Sequence, residues 1–224
     1  EIDDAPPDHS EGELDFLARA VREIASQLEA SRRQLEDRNF ELERANEVLA
    51  QLSITDGLTR LHNHRHFQDR YQAEARRVQR TGHPLGLILL DIDDFKSLND
   101  RFGHSVGDRV LAGVAGVMAE HVRETDYLAR YGGEEFAILL PETGLEGAAL
   151  LAEKIRLAVS EASVALPEAT EPVRVTLSAG VALFDGDTDR SFDAADRALY
   201  RAKSRGKDCV IVAGEVPELG PRAD

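Results

Sequence analysis

Cysteine is nearly absent. Cys209 is the only one, so no internal disulfide can form and the chain suits a reducing cytoplasm. It lies in Cys209-Val210-Ile211-Val212 and reads as a buried filler of a strand. Long apolar runs are missing too: the longest, 85–90, is far too short to cross a bilayer, and the N-terminus lacks the form of a signal peptide. Positive charge is scarce. The 27 basic residues face 42 acidic ones for a formal charge of -15, a field that repels nucleic acid backbones and anionic membrane surfaces. A small phosphorylated substrate remains admissible where cations or a locally basic pocket offset the acid. Methionine occurs once, at Met118, and the chain begins with Glu1, so we expect a segment of a longer protein with a sensor or receiver module upstream.

Proline and glycine are both missing from 14–52. There Leu14, Leu17, Val21, Ile24, Leu28, Ser31, Leu35, Arg38, Leu42, Ala45, Leu49 and Leu52 follow alternating steps of three and four. With Leu14 at an a position every a site is aliphatic, while the polar Ser31 and Arg38 fall at d and weaken the middle of the seam. Such a helix extends about 58 Å at about 1.5 Å per residue, and its narrow stripe suits a parallel dimeric coiled coil better than a helix folded back on a globular core. The flanks differ. Residues 1–13 are acidic, hold Pro6 and Pro7, and read as a linker remnant; 214–224, with Pro217 and Pro221, read as a flexible tail.

Residues 53–213 alternate helical and strand patterns, which makes this part α/β or α+β. Strands are expected at 85–93, 127–131, 134–140, 173–183 and 208–212. Helices are expected at 65–80, 95–101, 107–120, 145–161 and 192–205. The glycine pair in Tyr131-Gly132-Gly133-Glu134 separates two apolar runs, the pattern of a tight hairpin whose turn residues need positive φ. Gly206, after the basic end of the last helix, reads as its cap, and Ala195, Leu199 and Ala202 as its core stripe.

Two places concentrate carboxylates. In Leu89-Leu90-Asp91-Ile92-Asp93-Asp94-Phe95-Lys96 an apolar strand ends abruptly in acid, with Asp91 and Asp93 two apart on one face and a helix start beyond them whose free N–H groups can hold phosphate. Hard oxygen ligands beside phosphate suit magnesium, although an acidic cluster capping a helix would look the same. Glu134 and Glu135 directly follow the glycine pair, and in a regular strand they would face opposite sides, so a shared site demands distortion at the turn or a ligand at the edge. His62, His64 and His66 alternate as ligands on a strand would, but a solvated histidine cluster is the better reading.

Taken together these segments resemble the GGDEF family of diguanylate cyclases. Arg130-Tyr131-Gly132-Gly133-Glu134-Glu135-Phe136 is similar to its signature in the GGEEF form, preceded by Asp56-Gly57-Leu58-Thr59-Arg60-Leu61-His62-Asn63 and by 91–100. Gly103-His104-Ser105-Val106-Gly107-Asp108, Leu177-Ser178-Ala179-Gly180-Val181-Ala182 and 194–203 follow in the family's order, so the likeness covers roughly 53–212. Three positions depart from the usual pattern: Arg60 replaces a glycine, Lys207 an arginine and Asp208 an asparagine, and none removes a catalytic group.

The resemblance implies a mixed five-stranded sheet surrounded by helices, like the palm of nucleotidyl cyclases and polymerases, and an enzyme that condenses two GTP into cyclic di-GMP and two pyrophosphates. Carried over residue by residue, Asp91, the Ile92 carbonyl, Glu134 and Glu135 would hold Mg2+, with Mn2+ able to stand in, and Asp91, Glu134 and Glu135 would be catalytic. Asn99 and Asp108 would read the guanine edge, with Phe95, Lys96, Lys203 and Lys207 completing the GTP site. Each domain would hold one nucleotide, so a homodimer joined by the coiled coil would bring two half-sites together. Arg123 and Asp126 match the family's RxxD site, where bound cyclic di-GMP would inhibit. The rival readings are a catalytically silent module that senses GTP or cyclic di-GMP, a dimerisation scaffold, and a cyclase making a different cyclic dinucleotide.

Overall fold

The computed structural model describes residues 22, 27–29, 31–41, 54–163 and 173–214. The chain divides into two compact units, Glu1–Ser53 and Ile54–Asp224. In the first, the described residues are helical, as the heptad pattern requires, and the seam residues Leu28 and Leu35 are 69% and 60% exposed. The other aliphatic seam positions, the linker 1–13 and the tail beyond Gly214 lie outside the described residues.

The second unit is built on a sheet in the order β1-β3-β4-β2-β5-β6, formed by His62–Asn63, Leu85–Ile92, Tyr127–Arg130, Glu135–Pro141, Leu177–Leu183 and Val210–Val212 numbered along the chain. The helices are α1 (His64–Thr81), α2 (Phe95–Phe102), α3 (His104–Ala119), α4 (Leu145–Glu161) and α5 (Thr188–Ser204). Pairing is antiparallel for β2 with β4 and β5 and for β3 with β4, and parallel at the two edges. The sheet is therefore mixed, with six strands where five were expected. The extra one is His62–Asn63, too short for any alternation pattern to announce it and held by parallel pairing to β3.

β2 explains the core. All eight of its residues are buried, because helices cover both faces and an apolar run replaces alternation. Ile88, Leu90 and Ile92 pack with Val110, Val114 and Met118 of α3 and Ile155 of α4. Leu85, Leu87 and Leu89 face the other way, onto Phe67 and Tyr71 of α1 and Ala195 and Leu199 of α5. The period of two thus aims Asp91 toward the α1/α5 side. Helix α5 lies very close there: a β-carbon on Gly180 of β5 would sit 2.1 Å from the Ala195 carbonyl.

Boundaries moved where side chains or backbone signs decide them. Strand β5 starts at Leu177, not 173: its ladder with β2 ends at the Ile92–Leu177 pair, and beyond it the Thr176 hydroxyl donates to Asp93. β6 starts at Val210 because Lys207 and Asp208 take φ of +67° and +46°, which also leaves Cys209 half-buried before the strand rather than inside it. α5 starts at Thr188 because the Asp187 side chain accepts from the Arg190 amide. Gly206 follows the capping Arg205 at φ +110°. Arg60, where the family has glycine, stands at φ +63°, a conformation that costs a residue with a β-carbon about 1–2 kcal/mol. Since part of that gain is offset by glycine's freer unfolded state, Arg60→Gly should raise stability by about 0.5–1 kcal/mol, seen as a higher urea midpoint at unchanged slope.

Candidate active site

The acidic corner forms where β2 and β4 run out. Asp91 pairs in register with Glu135, and the Ile92 amide donates to the Glu134 carbonyl at 3.3 Å. Both glutamates therefore flank Asp91, one beside it on the sheet and one in the turn. Expected positive φ at Gly132 and Gly133 is not found, so the hairpin is not the tight two-residue kind. Instead the Tyr131 and Gly132 amides both reach the Glu135 carbonyl, at 2.8 and 3.2 Å, leaving residues 132–134 as a wider turn. A β-carbon at Gly132 would lie 2.4 Å from the Glu135 carboxylate, so a larger residue there would push that side chain aside. The wider turn supplies the distortion that a shared site for two consecutive glutamates requires.

Arg130 holds this turn. Its guanidinium donates to the Gly133 carbonyl at 2.7 and 3.1 Å and lies 3.3 Å from both Asp56 oxygens. Asp56 in turn accepts from the Thr59 amide and hydroxyl, at 2.8 and 2.7 Å. Burial alone would raise the Asp56 carboxyl, but the bonds from Thr59 and Arg130 outweigh it and hold the group below its ordinary value.

Asp91 is the charge the strand buries. Its carboxyl is pushed up by burial, pulled back by Lys203, and pushed up again by the negative Glu134 and Glu135. Lys203, projecting from α5, meets Asp91 Oδ2 at 2.7 Å, and Lys207 meets Asp94 at 2.6 Å. Two of the three cations expected to face phosphate thus sit on carboxylates, while the third, Lys96, is exposed. Asp93, expected beside Asp91, turns elsewhere. It accepts from the Thr176 and Ser178 hydroxyls, both at 2.7 Å, and from the Asp208 amide at 3.0 Å, tying the end of β2 to β5 and to the loop carrying Lys207.

Among the described residues no three histidine, cysteine or carboxylate side chains gather into a ready cage, and that includes the expected set on Asp91, Glu134 and Glu135. The donors nonetheless fit a hard divalent cation. Asp91 lies within the field of two further carboxylates, and magnesium characteristically takes only one or two protein carboxylates, filling its shell with water and phosphate oxygens. Helix α2 starts beside them: its cap Asp94 makes no side-chain bond to the helix and its first turn carries no acid.

Asn99 and Asp108 flank the junction of α2 and α3. Asn99 Oδ1 is buried without a hydrogen-bond partner, and a β-carbon on Gly107 would stand 2.0 Å from it. Phe95 is a core residue at 6% exposure whose ring also touches that glycine position. Arg123 and Asp126 form a separate turn, in which the Asp126 carboxylate accepts from the Arg123 amide at 2.9 Å while the Arg123 side chain is exposed. The three histidines do not gather on a metal: His62 and His66 stack at 4.4 Å, partly buried rather than solvated, and His64 packs on Tyr131.

A mixed sheet whose middle strands carry carboxylates at one end, wrapped by helices, is the palm-like architecture of nucleotidyl cyclases. The family model described as "Diguanylate cyclase, GGDEF domain" matches residues 53–209, and the chain belongs to that family. Diguanylate cyclase DgcP of Pseudomonas aeruginosa is 39% identical over 204 residues, which is 90% of this chain and 28% of that protein. Response regulator PleD of Caulobacter vibrioides is 40% identical over 164 residues, 72% of this chain and 36% of that protein. The chain therefore spans about a third of the length of these relatives. Among solved structures, the coiled coil and GGDEF domain of DgcB from Caulobacter crescentus in complex with c-di-GMP superposes with a TM-score of 0.70 at 34% identity, covering 80% of this chain and 97% of that one. The active GGEEF domain of a Vibrio cholerae diguanylate cyclase gives 0.64 at 34% identity, covering 69% and 98%. Diguanylate cyclases of this family use divalent metal ions.

Asp93 is the site residue whose role the sequence did not reveal. Asp93→Ala would strip the acceptor from the fully buried Ser178 hydroxyl and from the Asp208 amide, and should cost about 3 kcal/mol of stability. Chemical denaturation measures it, with Asp93→Asn expected to lose less.

Proposed function

We propose that this domain joins two GTP molecules into cyclic di-GMP, releasing two pyrophosphates, when two copies face each other. The observation that carries the reading is Asp91 in register with Glu135 and hydrogen-bonded through its neighbour to Glu134, at the mouth of a helix N-terminus. Asp91, the Ile92 carbonyl and the two glutamates would hold Mg2+, or Mn2+ in its place. When bound, the ion supplies a Lewis acid that acidifies the attacking 3′-hydroxyl and offsets charge on the leaving pyrophosphate. Glu134, in the turn rather than the strand, would serve as a further ligand or take the hydroxyl proton, and the α2 amides with Lys96, Lys203 and Lys207 would orient the triphosphate.

Guanine is read at α2 and α3. The orphaned Asn99 oxygen is an acceptor awaiting a donor, and the guanine edge offers N–H groups, with Asp108 supplying a second acceptor. The chain's own contribution to dimerisation is the heptad helix. Two DgcB structures solved with c-di-GMP support a place for that product in domains of this kind. In this chain Arg123 would stack on and bond a product guanine, and the free oxygen of Asp126 would accept from its edge.

Purified protein incubated with GTP and Mg2+ should yield a product that co-elutes with cyclic di-GMP on ion-pair chromatography. A folded dimer that binds GTP and gives no dinucleotide would establish the silent sensor reading instead. Asn99→Ala should lower kcat/KM for GTP about tenfold to a hundredfold, because a positioned hydrogen bond to the base is lost. Arg123→Ala should raise the product concentration needed for half-inhibition while synthesis continues; unchanged inhibition would remove Arg123 from that role.

A further inference from the structure

Two of the three lysines expected to face phosphate are already engaged, and the way they are engaged suggests an exchange. Lys203 Nζ lies 2.7 Å from Asp91 Oδ2, with the Lys203 side chain 38% exposed and that of Asp91 only 7%. Lys207 makes the matching contact to Asp94 at 2.6 Å, in a more exposed pair. A divalent ion at about 2.0–2.1 Å from the same carboxylate would stand close to that ammonium, and the two like charges would compete for it. Without Lys203, Asp91 would be buried beside Glu134 and Glu135 with only the more remote Lys207 to offset it, a costly arrangement.

We infer that Lys203 is a resident counter-cation of Asp91 with which a divalent metal competes, so that metal and triphosphate load together rather than independently. This inference rests on the nucleotide reading above. A bare metal ion at Asp91 repels the Lys203 ammonium and weakens its ion pair. When the same metal arrives with a triphosphate, the released ammonium meets phosphate oxygens a short swing away, and Lys207 can leave Asp94 for the same group. The side chain is suited to the move: its flexible stem comes from the last turn of α5 and is partly open to solvent. Metal affinity and nucleotide affinity are thereby coupled, and by linkage each raises the other by the same factor. Lys203 acts here as a positioning residue for the cation, distinct from a group that merely contacts phosphate.

The test is Mn2+ binding to the purified chain, followed by the electron paramagnetic resonance signal of the free ion, with and without a GTP analogue that carries a methylene between the α and β phosphorus atoms. Native protein should bind Mn2+ weakly alone and at least about tenfold more tightly with the analogue. Lys203→Met keeps the stem and removes the charge. It should bind Mn2+ alone about fivefold or more tightly than native protein, and its gain from the analogue should shrink. Lys203→Arg, which restores a cation, should return the weak binding; if the methionine variant fails to fold by circular dichroism, Lys203→Gln takes its place. Equal or weaker Mn2+ binding by the folded neutral variant, with the analogue still strengthening binding in native protein, overturns the exchange and leaves the proposed function standing. Mn2+ binding in every protein sample no greater than that of the same solution, analogue included, without protein overturns both.

Discussion

A strand buried on both faces can end in a carboxylate only if hydrogen-bond donors or positive charge meet it there, and at Asp91 this domain meets that requirement with Lys203. Strand β2 is apolar for six residues and its period of two directs Asp91 to the side where α5 lies. The close seating of α5 over Gly180 then decides where Lys203 can reach. Burial drives the carboxyl toward protonation, Lys203 opposes it, and the glutamates of the neighbouring hairpin add to the first tendency. A site so balanced has strong appetite for a cation and supplies too few ligands to satisfy one alone, which is the condition under which a phosphate-bearing ligand completes the shell.

The same economy governs the junction of α2 and α3. An asparagine oxygen buried without a partner is a deficit that a folded chain ordinarily repairs, yet here the space around it is kept by a glycine, since any β-carbon at 107 would collide with it. The room left by Gly107 and the unmet acceptor lie together, and Asp108 follows that glycine in α3. Neighbouring positions on the chain thus supply both the room and the hydrogen-bonding capacity.

Much of this was legible in the residues. The apolar run closing in Asp91 marked the buried strand, the helix 145–161 matched to the residue, and the carboxylates at 134 and 135 stood out against the glycines beside them. What stayed hidden depends on distance along the chain or on backbone sign. His62–Asn63 is a strand only because β3 offers it an edge. Asp93 gave an acidic signal, but its partners Thr176, Ser178 and Asp208 lie more than eighty residues away, so ligand and scaffold carboxylates looked alike. Gly132 and Gly133 pointed to left-handed backbone, whereas neither adopts that conformation and the first lies against the Glu135 carboxylate. Arg60 went the other way, as a departure from the family pattern that coincides with a φ of +63°.

The bridge from Asp56 through Arg130 to the Gly133 carbonyl joins residues near the start of the described domain to the loop bearing Glu134. Asn63, bonded back to Ile54 at 3.0 Å, closes the near end of that bridge. The point where the chain enters this domain and the loop bearing the glutamates are therefore fastened together through a guanidinium of fixed planarity.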